Sequence, residues 1–473
     1  MRRHWGPDRR VLAAAAVIGS TLAMVGEPTD ARAGGTETPG VFSVRKYGAV
    51  GDGKAIDTAA INQAIGACAK AGGGQVLLPP GTYLSGTVRL RSHVTLNLAA
   101  GARLLGTKDL ERYEQYNAPA GTPEARGGKW HRALVLAVGV EGAAITGRGV
   151  IDGSKVHDPT GEEKMRGPHT IIVGDSRGVS LRDVSIADSA NYAIMVEYSS
   201  DVEVRDVRVT GGWDGVHFRG WKDKPCRNLS ITGCRFFTGD DAIAGRYAEN
   251  LLITDCVVNS SCNGIRIIGP VKHMIVHDCL FYGPGVHPHR TQDRYNMLAG
   301  IILQPGAWDV SDGAMEDVLI SDVTMKNVQS PVTVYLARAG NLADEITVDR
   351  LSATGVYKAA ASVESWSDKP IGRVVFRNVS IEYAGGGTAE QGATPARAPG
   401  KGVRDLPAWG LYARNVRELV VEDVRLSAAK PDLRPVILAE GVGQLTLDNL
   451  RHPRLDNAPD PIVRKALAPG KGR

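Results

Sequence analysis

Leu181-Arg182-Asp183-Val184, Val204-Arg205-Asp206-Val207, Ile231-Thr232-Gly233-Cys234, Ile253-Thr254-Asp255-Cys256 and Val276-His277-Asp278-Cys279 are five copies of one pattern, two apolar residues bracketing a turn-forming pair. It continues as Ile320-Ser321-Asp322-Val323, Val348-Asp349-Arg350-Leu351, Phe376-Arg377-Asn378-Val379, Val421-Glu422-Asp423-Val424 and Leu447-Asp448-Asn449-Leu450. The last positions advance by 23, 27, 22, 23, 44, 28, 28, 45 and 26 residues. Taking the two long steps as double ones gives a period of roughly 22–28 residues, one solenoid coil. The intervening segments are short, β-branched and alternating, and Gly, Asn and Asp punctuate them. No amphipathic helix recurs, which excludes leucine-rich and ankyrin-type solenoids. The pattern therefore predicts an all-β fold, a right-handed single-stranded parallel β-helix whose strands stack at about 4.8 Å.

Working outward, stacked coils leave two open ends that must be blunted. Residues 57–71 read as a capping helix over the first coil. Asp57-Thr58 offers an N-cap, Ile61, Ile65 and Cys68 share one helical face, and Gly72-Gly73-Gly74 ends it. Residues 385–408, rich in Gly, Ala and Pro, read as a long loop. The β-helix domain is expected over 41–452, and residues 453–473 as an irregular tail. Cys234, Cys256 and Cys279 fall at one position of three consecutive coils. They predict an internal ladder of small apolar thiols rather than disulfides.

The first 33 residues are set aside as an export signal. Arg2, Arg3, Arg9 and Arg10 supply its positive region, Val11 to Val25 is apolar or small, and Ala31-Arg32-Ala33 offers a cleavage site. The Arg9-Arg10-Val11-Leu12 run is similar to a twin-arginine signal. A secreted or periplasmic location is expected, and no other segment could cross a membrane. The chain has 473 residues, 23% of them charged, a formal net charge of +5 and no block of like charges. That distribution argues against a nucleic-acid partner. A polysaccharide partner and a monomeric state are expected.

Aligning coils places Tyr192-Ala193-Ile194, Asp214-Gly215-Val216, Asp241-Ala242-Ile243, Asn263-Gly264-Ile265 and Ala299-Gly300-Ile301 in one column. Asp214 and Asp241 are then neighbours up the helix, with Asp240 beside Asp241. Three such carboxylates repel one another, and the simplest relief is for one to keep its proton. A protonated acid beside ionised bases is what glycoside hydrolysis requires. Carboxyls on adjacent coils could stand at the inverting separation of about 6.5–9.5 Å, with a water between. Trp213, next to Asp214, is a candidate platform for a sugar ring.

These residues resemble glycoside hydrolase family 28, the polygalacturonase and rhamnogalacturonase family, whose members have the pectin-lyase-like β-helix. The resemblance is carried by Tyr47-Gly48-Ala49-Val50-Gly51-Asp52-Gly53, Gly147-Arg148-Gly149-Val150-Ile151-Asp152-Gly153 and Thr238-Gly239-Asp240-Asp241-Ala242-Ile243. Gly212-Trp213-Asp214-Gly215 keeps the Asp and Gly of the family's Asn-Thr-Asp-Gly motif. The resemblance implies that Asp240 is the general acid, that Asp214 and Asp241 activate the water with inversion, and that no metal or cofactor takes part.

Two departures bear on the substrate. The family's Gly-His-Gly aligns with Cys262-Asn263-Gly264, so its histidine is Asn263 here. Its Arg-Ile-Lys aligns with Ile302-Leu303-Gln304, so the cation pair expected to grip a uronate carboxylate is absent. Arg266, His289 and Arg290, with His287 and Arg294 in the same loop, are the candidate replacements. Asn263 and Trp213 complete the expected substrate contacts. The expected function is a glycosidase acting on a pectin-like glycan. A non-catalytic glycan-binding protein and a β-helix polysaccharide lyase, whose Asp trio could hold a cation, are the alternatives.

Overall fold

Each copy of the repeat turns the chain because one residue adopts the left-handed conformation. Asp183, Asp206, Asp255, Asp278 and Asp322 have φ of 65, 53, 56, 49 and 54°. Asp and Asn tolerate that region because their short side chains bond locally to the backbone. The bracketing apolar residues are buried in every copy but the last, where Leu447 and Leu450 are half-buried, so these aspartates are turn residues and not chemistry. The computed structural model describes residues 40–120, 122, 131–308, 310–455 and 459–467. In it 36 strands join into one sheet wound as a right-handed parallel β-helix. The export signal expected over residues 1–33 lies outside the described residues.

The register through the centre of the molecule is regular. Ile194 pairs with Val216, Val216 with Ile243, Ile243 with Ile265 and Ile265 with Ile301. These five side chains form one fully buried interior column. Burying each is worth about 1.5–3 kcal/mol, so stability is spread along the stack. The six cysteines are buried and unpaired. The Sγ atoms of Cys234, Cys256 and Cys279 lie against one another and donate to backbone carbonyls, which is the expected thiol ladder.

Two steps of the repeat are corrected by the pairing. Val276 pairs with Ile320 and Leu280 with Thr324, so the 44-residue step is one coil and not two. The 45-residue step is also one coil, since Ser380 pairs with Arg425. The surplus chain leaves the stack as loops, 283–298 and 386–410. Both leave from the same corner, after the strands Leu280–Tyr282 and Ser380–Gly385. A third long loop, 153–168, leaves that corner after Val150–Asp152. In the coils between, the corner is only a short turn, at 188–193, 211–215, 239–242 and 261–262. The fold thus sets a row of short turns between long loops.

The capping helix spans Thr58–Lys70 and buries Ile61, Ile65 and Cys68. Asp57 occupies the N-cap position but does not cap with its side chain. Its carboxylate instead accepts from the backbone of Val50 and Gly51 at 2.6 and 3.0 Å, tying the helix to the preceding loop. The loop expected at 385–408 contains one short helix, Ala389–Ala393, held by a capping box of Thr388 and Gln391. The stretch after His452 is not wholly irregular. Ile462–Lys465 adds a parallel strand to Ile437–Asp448, so the β-helix extends past residue 452. No helix among the described residues is long and apolar enough to cross a membrane.

Candidate active site

The short turns place the acids. Asp214 precedes the strand Val216–Arg219 and Asp241 precedes Ile243–Arg246, and the register between those strands stacks one carboxyl on the other. The turn is held close by glycine. A Cβ at Gly215 would lie 2.5 Å from the Ala242 carbonyl oxygen, so any larger residue would push Asp214 off the coil carrying Asp241. Asp214, Asp240 and Asp241 line one cleft of about 890 Å³, and one oxygen of each lies within 4.8 Å of the others.

The facing oxygens thus lie closer than the expected separation of about 6.5–9.5 Å. Asp240 and Asp241 are consecutive, and Asp214 is one coil away, so the strand spacing itself keeps all three close. Their environments differ. Asp214 and Asp241 are 4% and 3% exposed, whereas Asp240 is 9% exposed and faces the cleft. Burial, and then the charges of Asp240 and Asp241, push the Asp214 carboxyl well above the usual carboxylate range. Burial also raises Asp241, but the Arg266 guanidinium opposes it. Arg266 Nη1 stands 3.1 Å from Asp241 Oδ2. Asp214 and Asp241 are close enough to titrate together.

Two residues expected to touch substrate instead support the acids. Asn263 is completely buried, and its side-chain and backbone nitrogens donate to Asp241 Oδ1 at 2.8 and 3.0 Å. Trp213 is 1% exposed and carries the Arg166 guanidinium 3.6 Å above its ring, so no face is open to a sugar. Arg166 Nη2 in turn lies 3.7 Å from Asp240 Oδ2. Arg290 is also outside the cleft lining, with its guanidinium 5.8 Å from the Trp213 ring centre. Arg266 and His289 do line the cleft. His289 Nε2 is 3.8 Å from Asp240 Oδ1.

Several site residues escaped the sequence reading. His217 Nδ1 is 2.7 Å from Asp214 Oδ2, and its ring stacks on Tyr192 at 4.2 Å. Burial, then the charges of Arg219 and Arg246, hold His217 well below its ordinary value and therefore neutral. Arg219 Nε donates to Nε2, which leaves the ring proton on Nδ1, donating to Asp214. Extending the coil alignment by one residue would have found it, because His217, Ala244, Arg266 and Ile302 share one register column. That column also bears on the cation pair that the resemblance implied at Ile302 and Gln304. Arg266 occupies, one coil earlier, the place that Ile302 vacates. Arg166, Arg219, Arg246, Arg294, Lys401 and the exposed Trp308 complete the cationic and aromatic lining.

Residues 41–266 match the family described as rhamnogalacturonase A/epimerase, pectate lyase-like. Over 260 residues the chain is 36% identical to an exo-poly-alpha-D-galacturonosidase of Dickeya chrysanthemi, covering 44% of this chain and 42% of that protein. The chain spans only 42% and 61% of the lengths of two such curated relatives. A solved exopolygalacturonase from Thermotoga maritima superposes with a TM-score of 0.59 at 20% identity, covering 74% of this chain and 88% of that one. PfbA, a surface adhesin of Streptococcus pneumoniae, superposes at 0.55 and 18% identity, covering 82% and 90%. These two structures share the fold, one named for an activity and the other for adhesion.

Proposed function

We propose that this chain, a divergent glycoside hydrolase family 28-like β-helix protein, hydrolyses glycosidic bonds of a uronate-containing, pectin-like polysaccharide outside the cell. One observation carries the reading: three carboxyls within 4.8 Å on the floor of a cleft whose walls bear guanidiniums. Asp240, the member that faces the cleft, gives its proton to the leaving oxygen as the glycosidic bond breaks. Water attacks the anomeric carbon and loses its proton to Asp214 or Asp241. The neutral His217 occupies Asp214 Oδ2 and leaves Oδ1 for the water. Arg266 opposes the burial that raises the Asp241 carboxyl and, at the edge of the cleft, offers charge to a uronate carboxylate. Asp240, Asp214 and Asp241 need no metal for these steps.

Six cations and five carboxyls line the cleft. Recognition of a uronate is therefore local, through particular guanidiniums, rather than through a broad positive field. The relatives named for galacturonosidase activity support the substrate class, and the resemblance implies inversion. The close carboxyl spacing does not by itself favour inversion over retention, so the anomer must be read directly. The second reading, a glycan-binding protein without turnover, is favoured by the histidine replaced at Asn263 and the uncharged pair Ile302 and Gln304.

A panel of polygalacturonate, rhamnogalacturonan and neutral glycans separates these readings. New reducing ends without ultraviolet-absorbing product are expected on a uronate-bearing member, with the β-anomer first by NMR if an α-linkage is inverted. An unsaturated, absorbing product would mean a lyase. Binding without product would mean an adhesin-like role.

A further inference from the structure

We propose that the cleft is a closed pocket for one end of a glycan chain, with residues 396–404 as its wall and Lys401 gripping the terminal acidic sugar. This deepens the hydrolase reading and rests on it. The floor of the cleft stops abruptly. Arg266 lines it, but Ile302, the next residue in the same column, is completely buried, as is Gln304. Ile302 packs with Tyr335 and Val403. The Tyr335 hydroxyl donates to the Gly400 carbonyl, and the Gln304 side chain lies against the same hydroxyl. The positions where the family's uronate-gripping cations would align are thus covered by a loop from two coils further on.

That loop is a fixed wall. Arg404 pairs through both terminal nitrogens with Glu364, whose side chain has no solvent exposure. The Arg404 Nε also donates to the Arg397 carbonyl at 2.8 Å. Opening the loop would strand a buried carboxylate, a strongly unfavourable step. At the other end the cleft is lined by the 153–168 loop, from Thr160 to Arg166. Among the described residues, the floor between these walls runs from the Tyr192 coil to the Leu298 coil, four spacings or about 19 Å. With a loop standing at each end of this floor, a polymer does not run through it along the helix axis in the proposed pocket. An end can enter from above.

Lys401 stands at the closed end. It is exposed, forms no ion pair among the described residues, and places its Nζ 3.7 Å from the Trp308 ring centre. The indole holds the ammonium in place by cation–π attraction, so an entering carboxylate meets an ordered charge rather than a mobile one.

Polygalacturonate and reducing-end-labelled oligogalacturonides test the proposal. The parent is expected to release one product size from the first time points while viscosity falls slowly. Lys401→Ala is expected to raise KM on the oligosaccharides about tenfold with kcat little changed, the mark of lost uniform binding. Replacing residues 397–402 by two glycines, which keeps Arg404, should yield mixed internal fragments. Should that variant fail to fold, the parent's products and the Lys401→Ala kinetics still decide. Mixed fragments from the parent, or an unchanged KM in Lys401→Ala, would overturn the closed pocket while leaving hydrolysis intact. Turnover of a neutral glycan but not polygalacturonate would overturn the acid grip. No turnover on any glycan overturns the hydrolase reading, and the pocket with it.

Discussion

Asp240→Asn is expected to lower kcat by about 10²–10⁴-fold with little change in KM, the range lost with a general acid. The substitution keeps the shape of the side chain, and the Asp241 backbone nitrogen, which donates to Asp240 Oδ1 at 3.0 Å, finds an acceptor in the amide too. The fold should therefore be unchanged by circular dichroism, and the loss should be chemical. Arg166 and His289, both near the carboxylate, remain to bind the substrate. A variant that turned over as fast as the parent would remove Asp240 from the acid role. Asp214 would then be the next candidate, because burial pushes its carboxyl well above the usual carboxylate range.

Asp214→Asn is expected to lower kcat by a comparable factor, about 10²–10⁴, and at the same time to raise thermal stability at neutral pH. The sign follows from linkage. The folded Asp214 carboxyl lies well above the usual range, whereas the unfolded one titrates near about 3.9. The native state therefore binds this proton more tightly. Its contribution to stability is complete below the unfolded value and is lost as pH rises through the raised folded one. At neutral pH the parent carries the cost of a buried carboxyl whose ionisation is disfavoured by burial and by two neighbouring carboxyls. The amide does not, and it still accepts from His217. The stability gain should be near zero in acid and should grow toward neutral pH, measured as a midpoint temperature across a pH series. A variant less stable than the parent at neutral pH would show that His217 and the guanidiniums fully compensate Asp214. Active sites commonly hold such strain, which is why removing function so often stabilises.

The stacked acids were legible in the sequence because a coil repeats its own spacing. Once Val184, Val207, Cys234 and Cys256 are set in register, Asp214 and Asp241 fall in one column without further assumption. The two enlarged coils were not legible. A loop contributes no apolar-x-x-apolar mark, so a step of 44 residues reads equally as two coils or as one coil with a loop. Only the pairing of Val276 with Ile320 decides between them. That ambiguity hid the walls of the cleft, and with them Arg166, Trp308 and Lys401, which come from loops far away in the chain. His217 was within reach of the alignment, three residues along the strand from Asp214. The fate of Trp213 was not. Whether an aromatic beside an acid meets a sugar or a guanidinium depends on which loop folds over it, and here Arg166 takes its face.

The long loops also show how one β-helix can bear different functions. The stack supplies the row of short turns, and the residues that leave it at one corner decide what reaches those turns. Here 283–298 brings His289 and Arg294 to the acids, while 386–410 covers Ile302 and Gln304 and extends Lys401 toward the cleft. The uncharged residues Ile302 and Gln304 are thus the ones that this loop buries.

In the proposed reaction, water positioned by Asp214 and Asp241 replaces the leaving sugar at the anomeric carbon. Digestion of polygalacturonate in heavy-oxygen water, followed by mass spectrometry of the products, tests it most directly. One heavy oxygen at each new reducing end, absent when Asp240→Asn is used, is the expected result. Products that are unsaturated and carry no heavy oxygen, or the absence of any product from this polymer and the rest of the glycan panel, would contradict it.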